Sequence, residues 1–568
     1  MKPRWRKQMK LPYGISNFSR LIEDGYHYVD KTRYIEHLEN EPAPYLFFLR
    51  PRRFGKSLFV SMLSYYYGLE HRERFDSLFG QFYIGTHPTP RANTYAVLKF
   101  EFSRIDTSTP EHTQQGFHAN VLLGIENFEK RYQQTVMDYS ACDNPAEALK
   151  RFFETHQEKK IYLLIDEYDH FANEILSFHF EHFSDIISRN GFVRKFYEAI
   201  KAATGDGIVD RLFVTGVTPI TLDSLTSGFN ISQNLSTRKA TNAMMGFTEQ
   251  EVVDLMEAMG SFGQMQRDTA ITYLRQWYNG YLFHAKAPSR IYNPDMVLYY
   301  LTEWLQEEEY PEKLIDLNIA SDYGKIRRLF QLKAPDQNYQ VIDQLIHDGF
   351  VTSQLTEQFS FERDFTRQDF ISLLFYMGFI SIKEAQFNNL HFVIPNFVIK
   401  GLYWEFFLQW VKEQNALTFE IADVRQSVLD LAENNQLQPF LNLIENTLQT
   451  LSNRDFIQFD EKYIKVLFVA FASLANLYYI QSEQETEQKY VDILFLHRPP
   501  YFPTYQFAFE LKYLKKNESN QLKTTVQKAI VQLQGYLQSE TLQRLENLKA
   551  YVIVFVGSEA KAVKAMDL

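Results

Sequence analysis

Several stretches of this chain are apolar at consecutive positions, and most close on a polar or charged residue. Tyr45 to Leu49, Ile161 to Ile165, Leu212 to Val214 and Tyr551 to Val556 have this form. Short unbroken apolar runs predict strands buried on both faces, as in a parallel sheet covered by helices. Helical spacing lies between them: Ser57 to Tyr67, halted by Gly68, then most of Glu111 to His156, then Asn190 to Ala203. Tyr95 to Phe102 alternates as a further strand. Strands alternating with helices predict a doubly wound parallel sheet, which takes its ligands at the carboxyl ends of the strands.

Further on the pattern changes. Residues 236–335 are helix-like, with Pro288 and Pro294 as punctuation. Asp369 to Met377 predicts a helix, Phe379 to Ile382 and His391 to Ile394 a hairpin, and Asn396 opens another helix. Helix followed by hairpin is a winged-helix pattern; with no Arg/Lys cluster in it, a packing role is favoured over DNA contact. Phe406 to Leu451 reads as connecting helices. The last stretch predicts a helix from Lys462 to Leu477, strands at Tyr490–Phe495 and Tyr505–Tyr513, a helix from Gln521 to Leu537 and the final buried strand. A short strand near Tyr479 does not separate from the end of the preceding helix. Val466 to Ile480 is the longest apolar stretch. Ser473 and Asn476 break it, so it reads as a buried helix and not as a membrane span.

Composition narrows the class. At 568 residues the chain is too long for one core. An apolar content of 45% with 23% charged residues excludes wholesale disorder. The 49 Phe and 35 Tyr are read as core filling. A net charge of −11 means that any nucleic-acid site must be a local basic groove. The single cysteine, Cys142, excludes an internal disulfide and a Cys-based zinc site, and fits a reducing, cytoplasmic setting. The basic residues of the N-terminus are followed by no apolar segment, so they are read as a solvated tail, with a basic arm as the alternative, and not as a signal peptide.

The first chemistry lies where the Tyr45 strand runs into Arg50-Pro51-Arg52-Arg53-Phe54-Gly55-Lys56-Ser57. A strand ending in Gly-Lys-Ser at a helix start is how a phosphate-binding loop is built. Backbone N–H groups face the anion, the Lys reaches the β- and γ-phosphates, and the hydroxyl takes Mg²⁺. The general pattern has Gly six residues before the Lys, and here Arg50 stands there. Asp166 and Glu167 close the Ile161 strand, where a metal-directed Asp and a water-polarising Glu are expected. Together the two motifs predict binding and hydrolysis of ATP with Mg²⁺.

The resemblance to a known family rests on particular residues. They are Leu11 to Ile15, Tyr28-Val29-Asp30-Lys31-Thr32, the loop just quoted, Leu164 to Asp169, Val214 to Val217, Met245 to Thr248, Trp277 to Tyr281 and Tyr292-Asn293-Pro294. These resemble the bacterial AAA-ATPase-like family, in which such an ATPase is fused to a C-terminal nuclease-like domain of the PD-(D/E)XK type. The Arg50 form of the loop matches that family. Pattern and resemblance together give an α/β multidomain chain: a P-loop NTPase parallel sheet (1–235), a helical lid (236–335), a winged-helix-like region (336–415), connecting helices (416–455) and a restriction-endonuclease-like α/β domain (456–568). Thr215 resembles a residue that senses the γ-phosphate, with a plain strand-end hydroxyl as the alternative. Arg52 and Arg53 are open to phosphate contact, to shielding the loop by salt bridges, or to acting on a neighbouring subunit of a homo-oligomer.

The second chemistry is Glu510-Leu511-Lys512 with Asp492 on the strand before it. Residues two apart on a strand share a face, so Glu510 and Lys512 point together. Asp492 can join Glu510 in holding Mg²⁺ or Mn²⁺, which activates a water, while Lys512 orients that water or balances charge on the phosphate. By resemblance, Glu461 is a further ligand candidate, with a helix-dipole role as its alternative. Gln532 resembles the helix Gln that follows the motif. Where the family often has a Gly-rich turn with Arg, this chain has Glu487-Gln488-Lys489.

Three functions stand against each other. One is an ATP-regulated nuclease acting on DNA or RNA. The second is a nucleotide-dependent switch or scaffold whose C-terminal domain binds nucleic acid or protein without cutting. The third is a solute- or peptide-binding ATPase, for which no feature of the sequence speaks.

Overall fold

The computed structural model describes residues 9–133, 137–139, 141–178, 191–220, 232–315, 335–359, 365–415, 420–451, 460–482 and 491–566. The chain divides into two compact units. The first comprises residues 1–306, 315–341 and 351–396, and the second residues 307–314, 342–350 and 397–568.

The first unit is built on a five-stranded sheet. Its strands are β1 (Tyr45–Leu49), β2 (Ala96–Glu101), β3 (Ile161–Asp166), β4 (Val209–Gly216) and β5 (Gln233–Asn234), in the order β2-β3-β4-β1-β5. Every pairing is parallel. The unbroken apolar runs are buried as expected, and every residue of β3 is buried. β5 pairs only through Gln233 and Asn234, too short to carry a hydrophobic period. The register of β1 on β4 sets Leu49 beside Gly216, so the phosphate-type loop leaves the sheet level with the end of β4. A Cβ on Gly216 would lie 2.2 Å from Asp169 Oδ1, so only glycine fits there.

Helices Glu249–Met259, Gln264–Tyr278 and Pro294–Glu307 follow. The first opens on a reciprocal cap between Thr248 and Glu251. Next come the helix Arg367–Tyr376 and an antiparallel sheet of β6 (Val351–Ser353), β7 (Ser381–Gln386) and β8 (Asn389–Val393), ordered β6-β8-β7. The expected hairpin is present, shifted to begin at Ser381; Phe379 and Ile380 are buried in the turn before it. Its far end, Lys383 to Gln386, is exposed and polar and gave no apolar signal.

The second unit carries β9 (Tyr478–Ser482), β10 (Ile493–His497), β11 (Gln506–Leu514), β12 (Leu548–Val556) and β13 (Glu559–Met566), ordered β13-β12-β11-β10-β9. Only β11 and β12 are parallel. Helix Leu522–Leu537 covers one face through Ala529, Leu533 and Leu537 on Ala508, Val552 and Val554. Helix Glu461–Ala475 meets the sheet through Phe468, whose ring is 5.7 Å from that of Phe509.

Four expectations change here. The apolar stretch to Ile480 is not one helix. It stops at Ala475, where Asn476 adopts a left-handed backbone with φ 53°, and β9 follows. Asp492 sits at a bend just before β10 and not inside it. The strand β13 was not foreseen, because its alternation Glu559-Ala560-Lys561-Ala562 is mostly exposed and weakly apolar. Helix Phe397–Asn415, placed by the sequence reading with the middle region, packs within the second unit. The Glu487–Lys489 stretch lies outside the described residues.

Candidate functional sites

Gly55 precedes the helix Lys56–Tyr67 with φ 87°, a conformation that favours glycine and aims the helix N-terminus at the loop. Lys56 is buried, and its Nζ donates to the carbonyls of Arg50 (3.0 Å) and Pro51 (2.9 Å). Burial pulls its pKa down, while Glu167, Asp169 and Asp166 push it back up. Arg50 explains the departure from the general loop. Its guanidinium donates to the carbonyls of Leu49 (2.9 Å), Ser236 (2.7 Å), Thr241 (2.9 Å) and Asn242 (3.3 Å). It also lies 4.2 Å from the ring centre of Phe48 and 3.9 Å from that of Phe283. The side chain therefore ties the end of β1 to residues 236–242.

A cavity of about 450 Å³ opens over this loop. Arg52, Arg53, Gly55, Lys56 and Ser57 line it, with Glu167 opposite. Ile15, Tyr28, Met244 and Phe247 give it an apolar wall. Its volume lies in the range of small-molecule sites. Asp166 is buried, accepts a hydrogen bond from Ser57, and keeps Oδ1 without a hydrogen-bond partner among the described residues. Burial, with Glu167 beside it, raises its pKa to about 6. An orphaned carboxylate oxygen next to the Ser57 hydroxyl suits a divalent cation carried by a nucleotide.

Glu167 has φ 51° and lies 3.3 Å from His170 Nδ1. His170 also lines the cavity, and the sequence reading missed it; its signal was a histidine three residues after the acidic pair. Arg53 reaches Asp295 at 3.6 Å, one of the three roles left open for it. The structure does not bring Thr215 to the cavity. Its hydroxyl is fully buried and donates to Phe48 O at 2.8 Å, as a strand-end hydroxyl does. The neighbouring acid Asp169 is structural: it accepts from the backbone N–H of Val217 and of Thr218 and from the Thr218 hydroxyl. Lys31 of the early motif pairs with Glu251 at 2.7 Å, fixing the cavity wall.

In the second unit, Glu510 and Lys512 share a face of β11 and lie 2.9 Å apart. Asp492 joins them from the bend before β10. Its Oδ2 accepts from Leu511 N at 2.8 Å, taking an N–H that continued β10–β11 pairing would otherwise use. Lys512 Nζ lies 3.4 Å from Asp492 Oδ2 and 3.3 Å from Glu461 Oε1. The sequence reading missed one member. Lys465, one turn after Glu461 on the same helix, reaches Asp492 Oδ1 at 2.6 Å and Glu461 at 3.2 Å. Only the fold shows it, since the spacing of a lone helix lysine carries no chemistry. Gln532 bonds Tyr536 at 3.1 Å and no carboxylate of this group.

Glu510 is fully buried, and neither of its carboxylate oxygens has a hydrogen bond among the described residues. The Lys512 ammonium is near in distance but forms no well-directed bond with it. Burial first, then the Asp492 charge, pushes Glu510 up to about 7, while Lys512 is raised by the same carboxylates. A buried carboxylate with two unfilled acceptors beside a second carboxylate fits Mg²⁺, which uses one or two carboxylates and keeps several waters. Among the described residues there is no group of three or more His, Cys, Asp or Glu arranged to hold a metal.

Residues 12–226 match the family described as "Predicted AAA-ATPase", and residues 459–565 match the PD-(D/E)XK nuclease superfamily. The order, ATPase-like first and nuclease-like last, is the one the resemblance implied. The chain is also 29% identical over 319 residues to an uncharacterized protein in the vnfD 5' region of Azotobacter chroococcum mcd 1. The match spans 51% of this chain and 51% of that protein. Among the described residues no helix is long and apolar enough to cross a membrane.

Proposed function

We propose, for a chain that joins an AAA-ATPase-like segment to a PD-(D/E)XK-superfamily segment, that ATP binding and hydrolysis in the first govern metal-dependent phosphodiester cleavage by the second. The observation that carries the cleavage reading is Glu510: fully buried, with no well-directed hydrogen bond to either carboxylate oxygen among the described residues, and beside Asp492 and Lys512.

In the ATPase half, Lys56 exchanges the carbonyls of Arg50 and Pro51 for phosphate oxygens. The helix N-terminus faces the same anion. Ser57 and Asp166 receive the cation that arrives with ATP, and Glu167 takes a proton from the attacking water while His170 orients its carboxylate. Met244 to Phe247, Leu255, Pro294, Asp295 and Leu298, which line the cavity, act as its lid.

In the nuclease half, Asp492 and Glu510 hold the cation, with Glu461 within reach through the lysines. A bound Mg²⁺ or Mn²⁺ supplies a water of lowered pKa and charge stabilisation on the phosphate. Lys512 orients that water and offsets the added negative charge. The substrate is DNA or RNA, in a reducing, cytoplasmic setting.

The test is cleavage of DNA and RNA by the full chain with Mn²⁺. Asp492→Ala and Glu510→Ala each abolish it and weaken Mn²⁺ binding measured by calorimetry; Lys512→Ala still binds Mn²⁺ but cuts slowly. Regulation is tested by Lys56→Ala, which lowers cleavage if the two activities are linked. One observation favours the scaffold reading. Lys465 and Lys512 already neutralise Asp492, so the domain can be stable with no metal. No Mn²⁺ bound in the second unit, and no cleavage, would establish that reading in place of the nuclease.

A further inference from the structure

We propose that a pocket beside the nuclease carboxylates, lined by Lys400, Lys462 and Lys465, holds a backbone phosphate of the nucleic-acid strand next to the one being cut. This rests on the nuclease reading and names a subsite within it.

The pocket lies wholly within the second unit. Helix Phe397–Asn415 contributes Lys400 and Trp404, one turn apart on one face. Helix Glu461–Ala475 contributes Lys462, Lys465, Val466 and Val469, again at helical spacing along one face. Ser482 closes it at the end of β9, where it pairs with Ile493, the residue after Asp492. The pocket therefore abuts the nuclease carboxylates at Lys465. Lys465 has Asp492 on one side and this cavity on the other.

Three features point to a phosphate. Among the described residues the lining has three lysines and no acidic side chain; Lys465 turns to Asp492 and Glu461 on its far side, and Lys462 lies 3.9 Å from Asp348. In a chain of net charge −11, a lining whose only charged side chains are lysines is a local basic surface of the kind nucleic acid requires. The floor is apolar, with Trp404 only 4% exposed, and a low-polarity wall strengthens an ammonium–phosphate attraction relative to open water. The volume is about 180 Å³, below the roughly 300 Å³ at which pockets begin to enclose drug-sized ligands. A phosphate group enters; a whole nucleotide does not. A phosphate within a strand, its sugars and bases passing outside, satisfies both limits.

The test uses the full chain in EDTA, so that binding is read without cleavage. Fluorescent single-stranded and duplex oligonucleotides are titrated from about 50 to 200 mM salt. Lys400→Gln with Lys462→Gln removes two ammoniums that touch neither Asp492 nor Glu510. The slope of log affinity against log salt then falls by about 0.9 per lost contact on duplex, or about 0.7 on single strand. Lys400→Arg with Lys462→Arg restores it. Mn²⁺ binding by calorimetry is unchanged in both variants, which separates loss of the subsite from misfolding. An unaltered slope in the double Gln variant overturns the proposal, as does absence of oligonucleotide binding by the wild type. Inorganic phosphate binding that is lost in the variant while the oligonucleotide slope stays constant makes the pocket a small-anion site and also overturns it. A lysine-dependent slope without any cleavage keeps the subsite and sinks the nuclease reading; cleavage with an unaltered slope does the reverse.

Discussion

Replacing Arg50 by glycine recreates the general phosphate-loop pattern, and the structure predicts that the protein is damaged by it. The guanidinium is buried and gives four hydrogen bonds to backbone carbonyls, three of them in residues 236–242. It also lies against the rings of Phe48 and Phe283. In Arg50→Gly those carbonyls lose their donors in a space that water fills only in part. Each hydrogen bond to a charged group is worth about 1.5–3 kcal/mol, but burial of the guanidinium itself is costly, so the terms oppose. A buried acceptor left without a donor costs about 1–3 kcal/mol, so four such carbonyls, offset by the relief of a buried charge, leave a net loss of a few kcal/mol. The assay is urea unfolding followed by tryptophan fluorescence, with binding of a non-hydrolysable ATP analogue measured in parallel. The midpoint should fall, and analogue affinity should fall with it, because β1 is no longer tied to the segment that leads into Met244 and Phe247 of the cavity wall. Arg50→Lys should be intermediate, since one ammonium cannot serve four carbonyls. A glycine variant with wild-type midpoint and wild-type affinity would refute the reasoning.

Other outcomes follow from the same geometry. Lys56→Ala should lower affinity for the ATP analogue by roughly ten- to a hundredfold, the worth of a charge-assisted hydrogen bond, read by calorimetry. Glu167→Gln should bind ATP normally and lose roughly 10²- to 10⁴-fold in turnover, and unchanged phosphate release would remove Glu167 from the role. Asp166 has a pKa raised to about 6 in the folded state, so between its ordinary value and 6 the folded chain holds a proton that the unfolded chain has released. Its contribution to stability therefore falls as pH rises through that window and stays unfavourable above it. Asp166→Asn should raise the unfolding free energy by roughly 2–3 kcal/mol at pH 8 in EDTA, by little near pH 4, and abolish hydrolysis; an equal gain at both pH values would contradict the assignment.

The sequence by itself determined the buried strands, the Gly-Lys-Ser turn, the acidic pair closing β3, and Glu510 with Lys512 on one strand face. Each of these is a local pattern: an apolar run, a turn residue that needs φ above zero, or a spacing of two. It also indicated the ATPase-like and nuclease-like order, through motifs spread along the chain that resemble one family. Tertiary structure decided what depends on partners distant in sequence. Arg50 stands out in the motif as an exception, and its role rests on carbonyls nearly 190 residues away. Thr215 ends a strand like a sensor, yet the parallel register on β1 turns its hydroxyl to Phe48. Lys465 and the lysine pocket are invisible along the chain, since helix lysines are common and only the packing of two helices gathers them. Asp492 left its predicted strand because a backbone N–H from β11 took its carboxylate. Hydrophobic periodicity records which face of a segment is buried; the partner against which a polar group is buried is set by the fold.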